Sequence, residues 1–533
     1  MNPQTAQIIQ HLSSPDSYLH RPVTVRRLQT HASWLFVAPP FVYKIKQPVN
    51  LGFLNFITLA NRRKNSEFEV LLNRRLAPDI YLGVLALCHG PGGFQMLPVQ
   101  PGEPDPPDVI EWIVQMRQLP AEGFLLHKIQ QGSATDGDFE KVIDRLLRFY
   151  HLQPPLPRTI ADSAASTIRA NIQANFDAAR GMPESIIPRH RLAFLEEGSA
   201  AFEQQHHALL EQRAAEGWIR DVHGDLHLEH IHLDADGVRI YDCLEFSDSL
   251  RQIDVACDIA FLAMDLDFHH CHRWSRRLIE RLSHELPDPS MPPLIRWYKT
   301  YRACVRGKVE YLRSISETAS APERCAAEQN AARYFLLAAR CLFTGQTPRI
   351  LAFAGQTASG KSMLAEFAAA ETGWPLLSSD HLRKTLAGVA LYERGTAAER
   401  AALYSREMTQ TVYSTLLQRA APLLSSGENV ILDATFSSRT HRQLLCSFAA
   451  DHNAELIWTL ADASEDTRRL RLRDRTLRTD VVSDAREEDL QTLAARFEPP
   501  SELPSEHCIR ICTDGSQAHS QALWLRAMAL RQT

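Results

Sequence analysis

The sequence predicts a chain of mixed class, α/β and α+β: an N-terminal part in which strands precede a long helical stretch, then a C-terminal domain built on a parallel sheet. Three observations carry this. The pattern changes abruptly near 346, where a turn-type stretch, TGQTPR, gives way to the apolar strand Ile350 to Ala354. From there strand-like and helix-like segments alternate, the sign of parallel βαβ units. A glycine-rich loop follows that first strand, and a polar loop at 219–246 interrupts the otherwise helical N-terminal stretch. The domains therefore divide as 1–345 and 346–533.

Length and composition agree. At roughly 150 residues per domain, the chain of 533 makes about two to four units, each able to bury a core without disulfide or metal support. Apolar residues make up 44% and charged residues 23%, which excludes a largely disordered or fibrous chain. The 58 basic and 63 acidic residues give a net charge of −5, so no basic excess covers the surface as a nucleic-acid footprint. The ten cysteines are sparse and contain no C-x-x-C pair, which fits free thiols in a reducing compartment. The start, MNPQTAQIIQHL, lacks a basic segment leading into an apolar run. Apolar stretches such as 255–264 are too short to span a bilayer. The expectation is a soluble cytoplasmic protein with no membrane partner.

Along the chain, 34–38 (WLFVA), 41–45 (FVYKI) and 80–87 (IYLGVLAL) read as strands because β-branched and aromatic residues dominate them. A helix from about 58 to 76 separates the last two. Proline-rich breaks fall at 98–107, 152–157 and 286–293. From 108 to 345 the pattern is mostly helical outside 219–246, and the segment 316–333 leads into a helix ending near Cys341.

The run 222–246, VHGDLHLEHIHLDADGVRIYDCLEF, concentrates chemistry. His223-Gly224-Asp225 puts a carboxylate on a tight turn, and His230 lies five residues beyond Asp225. After a DADG turn and a strand comes a second carboxylate, Asp242, with Glu245 close behind. Two carboxylates separated by a hairpin can serve as base and metal ligand at one phosphate. This arrangement resembles the aminoglycoside phosphotransferase branch of the protein-kinase-like fold. The resemblance covers about 30–310 and implies a two-lobed N-terminal domain, with a small lobe at about 1–107 and a large lobe at about 108–345. It makes Asp225 the catalytic base, Asp242 a metal ligand, and Asp254 and Asp258 braces of the catalytic loop. It also makes Lys44 of FVYKIK a contact to the nucleotide phosphates, with Lys46 second, and Glu69 its ion-pair partner, with Glu67 second.

Two departures from that family stand out. His230 occupies the position of its metal-binding Asn, and imidazole suits Zn2+ or Mn2+ better than Mg2+. No G-x-G-x-x-G precedes Lys44, and THASW (30–34) is the one turn there. An inactive, ligand-binding kinase-like half is therefore an alternative. Clustered histidines also suggest zinc. The kinase-like loop accounts for the first cluster, however, and His269, His270 and His272 read as polar residues at a helix end.

In the C-terminal domain, Gly355 to Ser362 (GQTASGKS) fits G-x-x-x-x-G-K followed by Ser or Thr, between a buried strand and a helix. Glycines let the loop turn its N–H groups onto phosphate oxygens at a positively polarised helix end, so Gly355, Ala358, Ser359 and Gly360 are expected to cradle phosphate. Lys361 should reach the β/γ-phosphates of ATP, and Ser362 should ligate Mg2+. Asp380 and Arg383 form a D-x-x-R pair one helical turn apart, a proton acceptor beside a substrate- or charge-balancing cation. Strand NVILDATF carries Asp433 to the carboxyl edge of the sheet as a metal ligand. In the arginine-dense run 467–475, Arg471 and Arg475 share a face and suit a lid over the triphosphate, while Arg468, Arg469 and Arg473 read as solvated.

Residues about 348–533 resemble the small P-loop kinases related to 5′-polynucleotide kinases, zeta toxins and gluconate-kinase-like proteins, on GQTASGKS, SSDHLRK, VILDATF and RLRDR…SDA. That resemblance makes Asp380 the base and Arg383 a substrate contact. An AAA+ motor is the structural rival, but the segment is short and has no evident sensor or arginine-finger region. The expected activity is that of an ATP-dependent phosphotransferase with two kinase-type domains, the P-loop domain transferring the γ-phosphate of ATP to a hydroxyl of a small molecule, with Mg2+ as cofactor and Mn2+ as the alternative metal at the N-terminal site. The rival activity, phosphorylation of a nucleic-acid 5′ end, runs against the acidic balance.

Overall fold

The computed structural model describes residues 3–531 except His31, Leu51, Phe53, Thr318, Gln346 and Thr479. Two compact units make up the chain, Met1–Ala174 with His207–Arg302, and Asn175–His206 with Ala303–Thr533.

In the first unit, β1 (Arg26–Gln29), β2 (Ser33–Ala38), β3 (Phe41–Lys46), β4 (Tyr81–Gly90), β5 (Gly93–Val99) and β6 (Val109–Arg117) form an antiparallel sheet in the order β1-β2-β3-β6-β4-β5. Its central strands are covered on both faces, while β1 at the edge is exposed. Ile8, Ile9 and Leu12 of the helix Pro3–Leu12 pack with Trp34, Phe36, Ile45 and Ile113 on one side. Val70 of the helix Leu59–Asn73 packs with Val84, Ala86, Trp112 and Val114 on the other. Residues 109–117 correct the sequence reading, which placed them in the helical stretch and ended the small lobe at 107. They pair with β3 and β4, and Trp112, Val114 and Met116 face one core while Ile113 faces the other, a period of two. The apolar run is continuous because the strand is covered on both sides.

The rest of this unit is helical around two small ladders. β7 (Ile219–Asp221) pairs antiparallel with β10 (Gln252–Asp254), and β8 (Ile231–Asp234) pairs with β9 (Gly237–Ile240) in the hairpin that the DADG turn closes. His31, in the turn before Lys44, lies outside the described residues.

The second unit holds a parallel sheet: β11 (Arg349–Ala354), β12 (Leu376–Ser378), β13 (Val430–Asp433), β14 (Glu455–Asp462) and β15 (Cys508–Cys512), in the order β12-β13-β11-β14-β15. Every residue of β11 is buried, as a central parallel strand requires. Ile350, Leu432, Val412, Leu416 and Trp458 belong to one core cluster. Elsewhere in the unit Trp524 stacks near Phe353 and Phe343, and Phe343 stacks on Phe194 at 4.4 Å. Arg191 makes a two-pronged ion pair with Glu371. These contacts explain why 175–206 and 303–345 pack with the phosphate-loop sheet, although the sequence cut at 346 assigns them to the other side. Gln346 itself lies outside the described residues. Among the described residues, no helix is long and apolar enough to cross a membrane, and the ten cysteines are free thiols.

Candidate active site

The phosphate loop leaves β11 and turns into the helix Lys361–Thr372, whose N-cap is Gly360. Its path needs glycine at two points. At Gly355 (φ +149°) a Cβ would lie 2.4 Å from the Ala461 carbonyl oxygen. At Gly360 (φ +91°) it would lie 3.1 Å from Thr513 Oγ1. Ala358 also takes a positive φ, 62°, and Ser359 is buried with its hydroxyl unpartnered in the protein. The loop is fastened from outside. Thr513 Oγ1 donates to the Ser359 carbonyl at 2.6 Å, and Arg471 donates to the Ala358 carbonyl at 3.1 Å and to Thr513.

Beside the loop lies a cleft of about 910 Å3 lined by Gly360, Lys361, Ser362, Asp380, Asp433, Arg471 and Arg475, with His381, Leu391 and Arg419 among the other lining residues. The topology brings these together: Asp433 ends β13 opposite both Phe353 of β11 and Ser378 of β12, and Asp380 opens the helix that follows β12. Asp433 is buried. One carboxylate oxygen accepts from Ser378 at 3.3 Å, while the other has no partner in the protein. Burial raises its pKa, against the opposing pull of Lys361 and the Ser362 hydroxyl. A buried carboxylate oxygen left open beside a serine hydroxyl is an oxygen-donor set that fits Mg2+.

Not every expected residue reaches the cleft. Arg383 is buried, donates to the Leu403 carbonyl at 2.7 Å and to Thr409, and stacks over Tyr404, so it anchors the helix that carries Asp380. Arg468 was expected to be solvated. It is buried instead, with its guanidinium on Gln356 of the phosphate loop. Arg473 is on the surface, paired with Glu487, and Arg469 pairs with Glu465. Sequence reasoning missed Thr513 and the buried Lys384–Asp484 pair, which joins the D-x-x-R helix to the SDA segment. A polar turn, CTDG, was the one available signal for Thr513.

The N-terminal unit assembles a second cluster. Lys44 Nζ donates to Glu69 at 2.8 Å and to Asp242 at 3.3 Å. Lys46, on the same strand face, bridges Glu69 at 2.8 Å and Glu245 at 2.5 Å. Glu67, the second choice of partner, pairs with Arg63 instead. Burial opposes ionisation of Asp242, yet Lys44 and His230 prevail and hold its carboxyl at about 2. Asp258 accepts from the backbone N–H groups of His223 and Gly224 and so braces the loop as expected. Asp254 does not: its carboxylate is held by Arg213, Tyr298 and the Ala256 N–H. The second brace is Asp265, which accepts from Leu228 N at 2.9 Å. His230 donates from Nδ1 to the Asp225 carbonyl oxygen at 3.0 Å, and its Nε2 lies 3.5 Å from Asp242. With imidazoles at His227 and His230, this donor set does not fit the all-oxygen preference of Mg2+. His269 and His270 follow the helix Val255–Phe268, and His272 starts the next, helix-end positions as expected.

Residues 350–500 match the family described as "AAA domain". Over 472 residues the chain is 30% identical to the uncharacterized protein Rv2004c of Mycobacterium tuberculosis H37Rv, covering 88% of this chain and 89% of that one. The uncharacterized protein Mb2027c of Mycobacterium bovis matches to the same extent. The chain belongs to the family of these mycobacterial proteins. The 472 aligned residues exceed either unit alone, so the likeness extends into both, and the C-terminal unit of this chain carries a P-loop nucleotide-binding domain. Among solved structures, a gluconokinase from Sinorhizobium meliloti 1021 is 21% identical, covering 34% of this chain and 91% of that one at a TM-score of 0.25. The APS kinase CysC of Mycobacterium tuberculosis, in complex with AMPPNP and APS, is 20% identical, covering 34% and 98% at a TM-score of 0.24.

Proposed function

We propose that the C-terminal unit is an ATP-dependent kinase that transfers the γ-phosphoryl group to a hydroxyl of a small molecule. The observation that carries this reading is one cleft lined by a phosphate-loop lysine, a carboxylate pair and lid arginines. Lys361 and the loop N–H groups hold the triphosphate and balance its charge. Ser362 and Asp433 would hold Mg2+, which when bound neutralises charge on the β- and γ-phosphates. Asp380 accepts the proton of the attacking hydroxyl, and Arg383 positions it by anchoring its helix. Arg475 closes over the phosphates and helps exclude water, while Arg471 holds the loop that cradles them. A cytoplasmic location, with ATP at hand, suits this chemistry.

The test is phosphoryl transfer from labelled ATP to sugars, nucleosides, aminoglycosides and 5′-OH oligonucleotides. Asp380→Asn keeps the shape but cannot take a proton, so transfer should fall by about 10²–10⁴-fold with ATP affinity nearly unchanged. Loss of ATP affinity with transfer per bound ATP preserved would make Asp380 a nucleotide or metal ligand instead. Transfer confined to oligonucleotides, with a steep salt dependence, would replace the small-molecule reading by 5′-end phosphorylation.

A second reading concerns the N-terminal unit, and the Lys44–Glu69 pair favours it. There a kinase-like unit binds nucleotide phosphate at Lys44, with Asp225 positioned as a base. In the Lys361→Ala protein it should leave nucleotide binding that Lys44→Ala removes; absence of any residual binding overturns it.

A further inference from the structure

The N-terminal loop gathers donor atoms in a way that the kinase-like reading does not require. Asp225, His227 and His230 each present a ligand atom, and these atoms all lie within 4.8 Å of one another. Among the described residues they are the group of His, Cys, Asp or Glu donors that converges in this way. His227 Nε2 stands 3.5 Å from Asp225 Oδ2, and His230 Nε2 stands 3.5 Å from Asp242 Oδ2. In a tetrahedral site with bonds of about 2.0–2.1 Å, neighbouring donors are about 3.3 Å apart. The two 3.5 Å pairs approach that spacing, while Asp242, outside the triad that converges within 4.8 Å, has to move toward it.

Orientation agrees with spacing. The Asp225 carbonyl lies 3.0 Å from His230 Nδ1; a proton on that nitrogen directs the lone pair of Nε2 toward Asp242. Lys44 engages Oδ1 of Asp242, leaving Oδ2 on the His230 side. The backbone beneath the donors is pinned by Asp258 at His223 and Gly224 and by Asp265 at Leu228. His227 is 2% exposed and packs near Phe261, so one ligand sits under an apolar cover.

We propose that Asp225, His227 and His230, with Asp242 completing the set, bind a first-row transition-metal dication such as Zn2+ in preference to Mg2+. The donor chemistry points there: two imidazoles with carboxylates suit a borderline cation, whereas Mg2+ retains oxygen ligands and water. This inference stands on the cluster geometry and not on the phosphotransferase reading. A consequence follows for Asp225, which as a ligand no longer serves as a proton acceptor.

The test uses the whole 533-residue chain, stripped of metal and free of nucleotide, titrated with Co2+ as a spectroscopic stand-in for Zn2+. One equivalent should give the intense visible absorption of four-coordinate Co2+. One equivalent of Zn2+ should abolish it, and a large excess of Mg2+ should not. His227→Ala and His230→Asn should each weaken binding by at least about 10²-fold, and His272→Ala should leave it unchanged. Absence of the four-coordinate spectrum in the wild type, or displacement by Mg2+, overturns the proposal whether or not the variants fold. So does an undiminished signal in a folded His227→Ala protein.

Discussion

In the C-terminal cleft Lys361, Arg475, Asp380 and Asp433 line about 910 Å3 of open space. In the N-terminal cluster Lys44 and Lys46 are clamped by Glu69, Asp242 and Glu245 at 2.5–3.3 Å. The first arrangement keeps cations and carboxylates ready for an incoming polyanion and its metal. The second is internally neutralised, so a phosphate must displace Asp242 from Lys44 before it can bind there. Two regions with the same residue types thus differ in what a ligand would have to disrupt, and motif spacing alone does not reveal that difference.

The largest expected effect tests the neutralised cluster. Glu69 is fully buried between two lysines, so Glu69→Gln takes a carboxylate from both, leaving Lys44 to Asp242 and Lys46 to Glu245, and should cost about 3 kcal/mol in denaturant unfolding. Burial opposes ionisation of Glu69, but the lysines hold its pKa below the ordinary value. The loss should therefore be full at pH 7 and shrink as pH falls below the usual carboxylate range. A loss under about 1 kcal/mol would mean that the lysines are hydrated and the contrast is false.

Next is Lys361→Ala, which should lower phosphoryl transfer by about 10²–10³-fold with little change in unfolding midpoint. Lys44→Ala in the same assay should change transfer by less than about twofold. Equal losses would break the comparison, because both sites would then serve one reaction.

A smaller effect has the opposite sign. Asp433 carries a pKa raised by burial, so its charge opposes folding at neutral pH. Asp433→Asn should abolish Mg2+-dependent nucleotide binding yet stabilise the ligand-free protein by about 1 kcal/mol. That gain should be greatest at pH 7 and fade on acidification, as the wild-type carboxyl takes its proton. Destabilisation at pH 7 would show that Asp433 is well solvated or paired.

The smallest effect separates the arginines of 467–475. Arg468→Ala removes the guanidinium from Gln356 and should raise the KM for ATP about five- to tenfold, the worth of one charged hydrogen bond. Arg473→Ala, which breaks a surface pair with Glu487, should stay within about twofold.

Much of the two sites was legible because their chemistry lies in short contiguous motifs. The phosphate loop, Asp433 at a strand end and the 222–246 hairpin needed only local spacing, whereas Lys44 with Glu69 came from the kinase-like resemblance and not from spacing. What was not legible depends on packing between distant segments. Arg468 looks like its solvated neighbours until Gln356 is brought against it. Arg383 forms a local pair with Asp380 in sequence, but its guanidinium follows the Leu403 carbonyl, whose position the helix Ala397–Leu403 sets. The strand 109–117 lost its alternation because both faces are covered, and buried strands and buried helices then share one apolar signature. The grouping of 175–206 with the phosphate-loop unit rests on Phe194 and Arg191, residues with no motif around them.

The close approach of the Ala461 carbonyl to Gly355 has a bearing on how this protein tolerates variation. A substitution to alanine at 355 would press on the main chain of β14, which has no side-chain freedom with which to yield. In a saturation library scored by abundance rather than by catalysis, position 355 should therefore be depleted of every alternative. Lys361, the first residue of the following helix, should accept many substitutions, which vanish only when the library is scored for phosphoryl transfer. The same loop would then carry two kinds of invariance, one enforced by the neighbouring strand and one by the nucleotide.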